Sequence, residues 1–594
     1  MPWTIDASPW FRQTRGGYIF NGNSPTTEIP ESSSAISMNL SLTTAGRLGF
    51  FIDYSERTTV GAHTFYAART HGSTGAVGCT WTAYDSAGGA QLSTGSLSWA
   101  NTSLDVLSFT VNVASKPAGD HRIYVLLSSP TGGALLHHGT STVAYGIIED
   151  GTLATTNAIY IDAGAATNGT GTAASPYNNW YSARDALLVT DRVMYIKGLM
   201  IPNATDSVAF GAPAKNFGLL TTFGGRTSES QRLVIRNWAG FTGGITGGGL
   251  TDTTGFTCNG QLGIAVTTRF ITFRNLSCID LDNSAGNTVS GVCGFLRTRS
   301  SGGDLVEDFT AENITVDGIL SGATSNSAVW LTEEGSRFKL WRWSVTNAIN
   351  INNIPLFILE AYRTDNISVQ RCTGSQTAGS LYEKEGIQGL GGVGLSARFN
   401  VLSGGQIRIQ TQGNSNALDF HIIQNNVFDT TAENNFSAPI GFFTSSGLWV
   451  TSKQHISSNV FYNYDFGGNG HMRSKSAGWG GIIMYNNIFY ESLTAWRFDT
   501  GVDVAEYIDY NHYQNDVLTN QPLYYYFGPT PYTDLASLRA AEGFDIQSTV
   551  GTPVFTNAGS GDFTVPTNSN ALSSGVSGTQ KGVYLAPFIN IGAN

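Results

Sequence analysis

A chain of 594 residues is longer than one hydrophobic core organises and is expected to divide into roughly two to four units. Its 32 basic and 43 acidic residues leave a net charge of −11, a surface that repels phosphate backbones and argues against nucleic-acid binding. Only 13% of the residues are charged and 71 are glycine, a balance that favours many short strands joined by tight turns over long helices.

No apolar run reaches the 18 or so residues of a membrane span, so membrane insertion is not expected. The opening "MPWTIDASPWFRQTRGG" has neither the basic nor the apolar region of a secretory signal, which points to synthesis in a host cytoplasm. Five widely spaced cysteines, Cys79, Cys258, Cys278, Cys293 and Cys372, form no zinc pattern and read as buried free thiols. The nine histidines show no HExxH spacing, so no metal site is expected from them.

In chain order, residues 1–35 end in "NSPTTEIPESSS" and read as an arm and extended linker. Residues 36–155 alternate apolar and polar positions between Gly and Ser turns, the pattern of a small antiparallel β-sandwich. "HTFYAARTHGSTGAVGCTWTAYDS" (63–86) and "HRIYVLLSSPTGGALLHHGTSTVAYGIIED" (121–150) resemble a Calx-β domain. The resemblance implies a spacer or adhesion module, in some members with calcium. Here only Asp85, Glu149 and Asp150 offer carboxylate oxygens for that ion, so no cofactor is expected apart from a weakly supported Ca2+. The His137–His138 pair is expected in an exposed sandwich turn.

Residues 156–525 carry a recurring unit of alternating apolar residues, then Asn or Arg, then another apolar residue. It marks Asn237, Asn275, Asn313, Arg342, Arg371, Asn400, Asn426, Asn459, Asn487 and Asn511, at spacings of 38, 38, 29, 29, 29, 26, 33, 28 and 24 residues. Each coil of a solenoid must bury its apolar face on its neighbours, so a near-regular spacing with variable loops is what stacking requires. Asn at the turn tolerates left-handed backbone and can bond to the next coil. The opening "AIYIDAGAATNGTGTAASPYNNWYSARDALLVTDRVMYIKG" (158–198) and the closing "DLASLRAAEGFDIQSTVGTPVFTNAGSGDFTVPTNSNALSSGV" (534–576) resemble the ends of right-handed parallel β-helix proteins. The fold class is therefore all-β: a parallel β-helix preceded by a sandwich, with residues 526–594 as final coils and C-terminal cap.

A second set of strands follows the Asn units, and it concentrates charge: "GFLRTRS", "VWLTEEG", "LFILEAYR", "SLYEKEG", "QIRIQTQG" and "HMRSKSA". Carboxylates recur on three successive coils as Glu333 with Glu334, Glu360, and Glu383 with Glu385. Arg297, Arg299, Arg363, Lys384, Arg408 and Arg473 lie before, within and after this acidic strip, with Trp330, Tyr362 and Tyr382 beside it. Neighbouring coils stand about 4.8 Å apart and coils two apart about 10 Å. Carboxylates so spaced reach the roughly 5–5.5 Å separation of retaining, or 6.5–9.5 Å of inverting, glycoside hydrolysis. Crowding raises one carboxyl pKa and makes a general acid available. Glu333, Glu360, Glu383 and Glu385 are the candidate catalytic residues. The basic and aromatic residues, with Glu334, are the candidate substrate contacts. A solvated charged strip that blunts aggregation is the competing reading.

A β-helix behind a sandwich and a short arm resembles bacteriophage tailspikes. That resemblance implies a homotrimer in the virion, joined to other virion proteins through its N-terminal region, that binds and depolymerises a bacterial surface polysaccharide. A polysaccharide lyase on the same fold, with Lys384 or Arg363 as base, and a non-enzymatic glycan-binding fibre are the alternatives.

Overall fold

In the computed structural model the described residues are 12–14, 17–19, most of 42–200, and from 216 to 582 the strands with their tight turns and the last helix. Of the 1–35 arm these include Arg12–Thr14 and Gly17–Ile19, an antiparallel pair.

Strict alternation in "HRIYVLLSSPT" and "VGCTWTAY" produces strands with one buried and one wetter face, and two such sheets close on each other. One holds Leu135–Leu136, Arg47–Ile52, Gly61–Thr70 and Val106–Val113. The other holds Tyr54–Arg57, Val143–Ile148, His121–Thr131, Val77–Tyr84 and Gln91–Trp99. Pairing is antiparallel except where Leu135–Leu136 meets Arg47–Leu48 and Tyr145–Ile148 meets Tyr54–Arg57. Between the sheets Phe50, Phe65, Phe109, Ile123 and Val125 are buried, and Trp81 stacks on Phe109 at 4.4 Å.

From residue 158 onward the strands are parallel and pair with the strand one coil on, except that Thr530–Tyr532 turns back antiparallel onto Tyr524–Phe527. A 21-stranded sheet runs from Ala158–Asp162 to Thr549–Val550, and a 12-stranded sheet from Asn216–Leu219 to Thr530–Tyr532. The parallel β-helix expected from the repeat is the architecture found, with the expected sandwich in front of it. The helix Trp180–Ala186, capped where the Asn179 side chain accepts from the Ser182 amide, buries Trp180 and Ala183 near the first coil. The helix Leu535–Glu542 follows the last coils, stopped by Gly543 in the left-handed region.

The repeat's turn residue does what its chemistry allows, in two forms. Asn275, Asn313, Arg342 and Arg371 themselves take positive φ. After Arg371 the left-handed residue becomes Phe399, Asn425, Ser458, Asn486 and Tyr510, and the asparagine follows it. Gln370 pairs with Arg398 and Thr373 with Val401, so Phe399, not Asn400, stands in register with Arg371. The one-residue shift turns the asparagines inward. Asn400 donates to Asn426 at 2.9 Å, and the chain continues through Asn459 and Asn487 to Asn511 at 3.0 Å each. Each Oδ1 also accepts the backbone amide of the asparagine one coil before, at 2.9–3.0 Å. This satisfies amides that a bent strand would otherwise bury unpaired. Beside it Phe428, Phe461, Phe489 and Tyr513 stack at 4.8–5.1 Å.

The sandwich is not held off as a spacer. It lies along the flank of the solenoid, where Phe51, Tyr54, Tyr66 and Tyr145 share one apolar cluster with Trp341, Phe399, Val427, Val460 and Ile488.

Candidate functional site

The 12-stranded sheet carries the strip that the sequence singles out. Its buried column is Leu296, Trp330, Leu359, Ile387, Ile407, Ile440, Met472 and Trp496, each in register with the next. Trp330 belongs to this column: it is 0% exposed and stacks on Trp343 at 5.7 Å. Its expected role as a sugar platform is therefore corrected, since the ring packs between coils.

The alternate positions form two further columns. Glu360 lies between buried Leu359 and Ala361, in register with Leu331 and Arg297 on one side and Gln388, Arg408, Gly441 and Arg473 on the other. Glu333 is in register with Arg299 and Tyr362. Glu333 and Glu360 thus stand on adjacent rungs, displaced by two residues along the strand. Gln388 is 2% exposed, so the rung after Glu360 is covered, whereas Arg408 is half-buried with its guanidinium 4.6 Å over the Phe443 ring.

The third acidic rung is displaced. The strand after Leu356–Tyr362 is Lys384–Leu390, whose register with the following strand shifts between Lys384 and Ile387. A Cβ at Gly386 would collide with the Gln406 carbonyl, so the close approach of the two coils at this bulge requires glycine. The partner of Glu360 is consequently Gln388, and Lys384 and Glu385 lie upstream of that column. Glu334, Arg363, Tyr382 and Glu383 lie outside the described residues. Two acidic rungs, Glu333 and Glu360, therefore stand beside each other on the sheet, two residues out of register.

A second charged assembly went unmarked in the sequence. In the units "LVIRNW", "ITFRNL" and "FTAENI" a charged residue precedes each asparagine, and Arg236, Arg274 and Glu312 stack in register. All three face the sandwich. Arg274 pairs with Glu56, with Glu149 at 3.4 Å and with Glu312 at 3.1 Å. Arg122 reaches Glu312 at 2.7 Å, Arg236 pairs with Asp120 and holds Glu149 at 2.9 Å, and Lys339 holds Asp53 at 2.7 Å. Burial alone would raise the Glu312 carboxyl, but Arg122, Arg274 and the Tyr54 hydroxyl together keep it below its usual range. Burial raises the half-buried Glu149 less than Arg274, Arg236 and Asn275 lower it, so its carboxyl stays below its usual value. Tyr54 stacks on Trp341 at 4.4 Å, and Arg371 covers the same indole at 4.1 Å. The isolated arginines in otherwise apolar strands were the available signal.

The same contacts occupy two of the three calcium candidates. Glu149 is engaged by arginines and Asp85 accepts from His121 at 2.9 Å, while Asp150 lies outside the described residues. Among the described residues no group of three or more His, Cys, Asp or Glu could hold a metal ion. Cys79, Cys278 and Cys372 are buried free thiols, and burial pushes the first and last up to about 12. Cys258 and Cys293 lie outside the described residues. His137 is buried, not exposed, its Nε2 2.6 Å from the Thr70 hydroxyl.

Where the sandwich meets the coils a cleft of 210 Å³ remains, lined by Tyr124, Val143 and Tyr145 from the sandwich and by Glu229, Phe270, Asp308, Arg337 and Lys339 from the solenoid side.

No protein family and no curated protein matches the chain. Among solved structures, the apo Calx CBD1 domain is similar at 19% identity and a TM-score of 0.16, over 18% of this chain and 96% of that one. The CBD12 of CALX1.2 is similar at 19% identity and the same TM-score, over 20% of this chain and 51% of that one. At that TM-score neither bears on what the chain does.

Proposed function

We propose that this chain is a virion-attached tailspike that binds a bacterial surface polysaccharide along its 12-stranded sheet and cleaves it by glycosidic hydrolysis. The observation that carries the reading is the placement of Glu333 and Glu360 on adjacent rungs, two residues out of register. In a parallel sheet such diagonal positions stand about 8 Å apart along the backbone, a spacing from which two glutamate side chains can bring their carboxyls to the roughly 6.5–9.5 Å of an inverting pair with a water between. One carboxyl protonates the leaving oxygen and the other activates the water. Arg297 and Arg299 on the rung before and Arg408 and Arg473 beyond hold acidic or acetylated sugars, with Tyr362 in the Glu333 column. In this reading the working form is a homotrimer attached through residues 1–35.

The test is incubation of the purified protein with a panel of capsular and O-antigen polysaccharides, followed by sizing of the products. Shortened polymer with inverted reducing ends, abolished in Glu333→Gln and Glu360→Gln, is the expected result. Full-length polymer with measurable binding would replace hydrolysis by a glycan-gripping fibre, and a rise in the absorbance of unsaturated uronates would replace it by β-elimination.

A further inference from the structure

The cleft between sandwich and solenoid has a chemistry of its own. Tyr124, Glu229, Phe270, Asp308 and Arg337 are each partly exposed, so its mouth meets solvent, while Tyr145 and Lys339 are buried at its base. At 210 Å³ it holds about seven waters' worth of space, below the roughly 300–1,000 Å³ of drug-sized sites, which suits a single six-membered ring.

Its charges are already balanced. Arg337 grips Asp308 through two bonds of 2.8 and 2.9 Å, Arg232 grips Glu229 through two, and Lys339 is held by Asp53 at 2.7 Å and the Val143 carbonyl at 2.5 Å. A cationic ligand would meet Arg122, Arg232 and Lys339, which stand 4.7, 5.8 and 5.2 Å from the Tyr145 ring centre. An anionic one would meet the two carboxylates. What remains open is hydrogen-bonding capacity without net charge. Each carboxylate uses two of its roughly four lone-pair sites on arginine. Neither the Tyr124 nor the Tyr145 hydroxyl has a hydrogen-bond partner among the described residues, although Tyr145 is only 4% exposed. Burial, then the nearby Glu229 and Asp308 carboxylates, pushes the Tyr124 hydroxyl up to about 12, so it stays a donor at neutral pH. A tyrosine hydroxyl without a protein partner in an aromatic-lined cleft is free to donate to and accept from a ligand or water.

We propose that this cleft is a second carbohydrate site, separate from the lateral strip, that seats one uncharged pyranose ring with its hydroxyls between the tyrosine hydroxyls and the Glu229 and Asp308 carboxylates. Phe270 and Tyr124 supply the apolar faces against which the ring's C–H groups pack.

The test is saturation-transfer NMR on the full chain with four methyl glycosides, those of glucose, galactose, mannose and N-acetylglucosamine, at millimolar concentration. At least one is expected to bind with a millimolar Kd. Tyr145→Phe keeps the ring and its cation contacts and removes one hydroxyl, and should weaken binding about three- to tenfold. Val143→Trp, which fills the cleft, should abolish it, and Glu360→Gln on the other sheet should leave it unchanged. Absence of binding by all four glycosides overturns the proposal. Binding that survives Val143→Trp and Tyr145→Phe, or that is lost in Glu360→Gln, also overturns it.

Discussion

Glu360 and Trp330 sit one rung apart, in neighbouring columns of one sheet, yet they are opposite kinds of residue, and substitution separates them. Glu333→Gln and Glu360→Gln remove a proton-transfer group with little change of volume. Each should lower kcat on the cognate polysaccharide by roughly 10²–10⁴-fold while leaving the urea midpoint near wild type. Trp330→Ala instead opens a void between Phe309, Phe338 and Trp343, and should cost about 3–5 kcal/mol, read as a lowered urea midpoint at unchanged slope. The difference was only half legible in "VWLTEEG". Three adjacent apolar residues assign no phase to the pleat, so Trp330 reads equally well as inward or outward until its neighbours in register are known. The displaced Glu385 was illegible for another reason. The bulge near Gly386 brings the chain so close to the Gln406 carbonyl of the next coil that a Cβ would not fit, and no local pattern records that approach.

At the level of the coil, the repeat was legible because stacking forces the same apolar phase on every turn, whatever the loop lengths do. The slip at Phe399 was not, since a spacing of 28 or 29 residues looks alike in a sequence with variable loops. That slip is what buries the asparagine side chains and lets them run from coil to coil. Asn459 has four partners there: it donates to Asn487 and to the Ile423 carbonyl, both at 3.0 Å, and accepts from the Asn426 amide and side chain at 2.9 and 3.0 Å. Asn459→Leu strands those groups in a dry interior at about 1–3 kcal/mol each. Amide exchange should then accelerate in the coils of Asn426, Asn459 and Asn487, while protection around Arg274 and Glu312 stays at its wild-type level. Uniform acceleration along the whole stack would contradict the nearest-neighbour picture.

For the molecule as a whole, the two units were visible in the sequence but their embrace was not. The partners in the charged junction, such as Glu56 with Arg274 and Asp53 with Lys339, are hundreds of residues apart, and nothing local couples them. The junction also carries buried imidazoles. His71 lies 5.3 Å from both His137 and His455, and burial pushes His455 down to about 3 and His71 well below its ordinary value. Their folded pKa values lie below the unfolded value near 6.5, so the unfolded chain binds more protons as pH falls. The stability they leave intact above 6.5 is lost progressively toward pH 3, on the order of 1 kcal/mol per pH unit for each. Glu149 and Glu312, also lowered, act in the same sense at the acid end. Asp545, which burial raises to about 6, and Asp509, which burial also raises, act oppositely, but as two groups against several. The thermal midpoint should therefore fall between pH 6.5 and 4, and His71→Gln with His455→Gln should flatten that slope. The flank-wise sandwich has one more effect. A bare stack of coils can fray from either end, a turn at a time, but a sandwich bonded to Arg236 at one place and laid against His455 at another bridges turns that do not touch each other, so fraying from either end should stall where that splint begins.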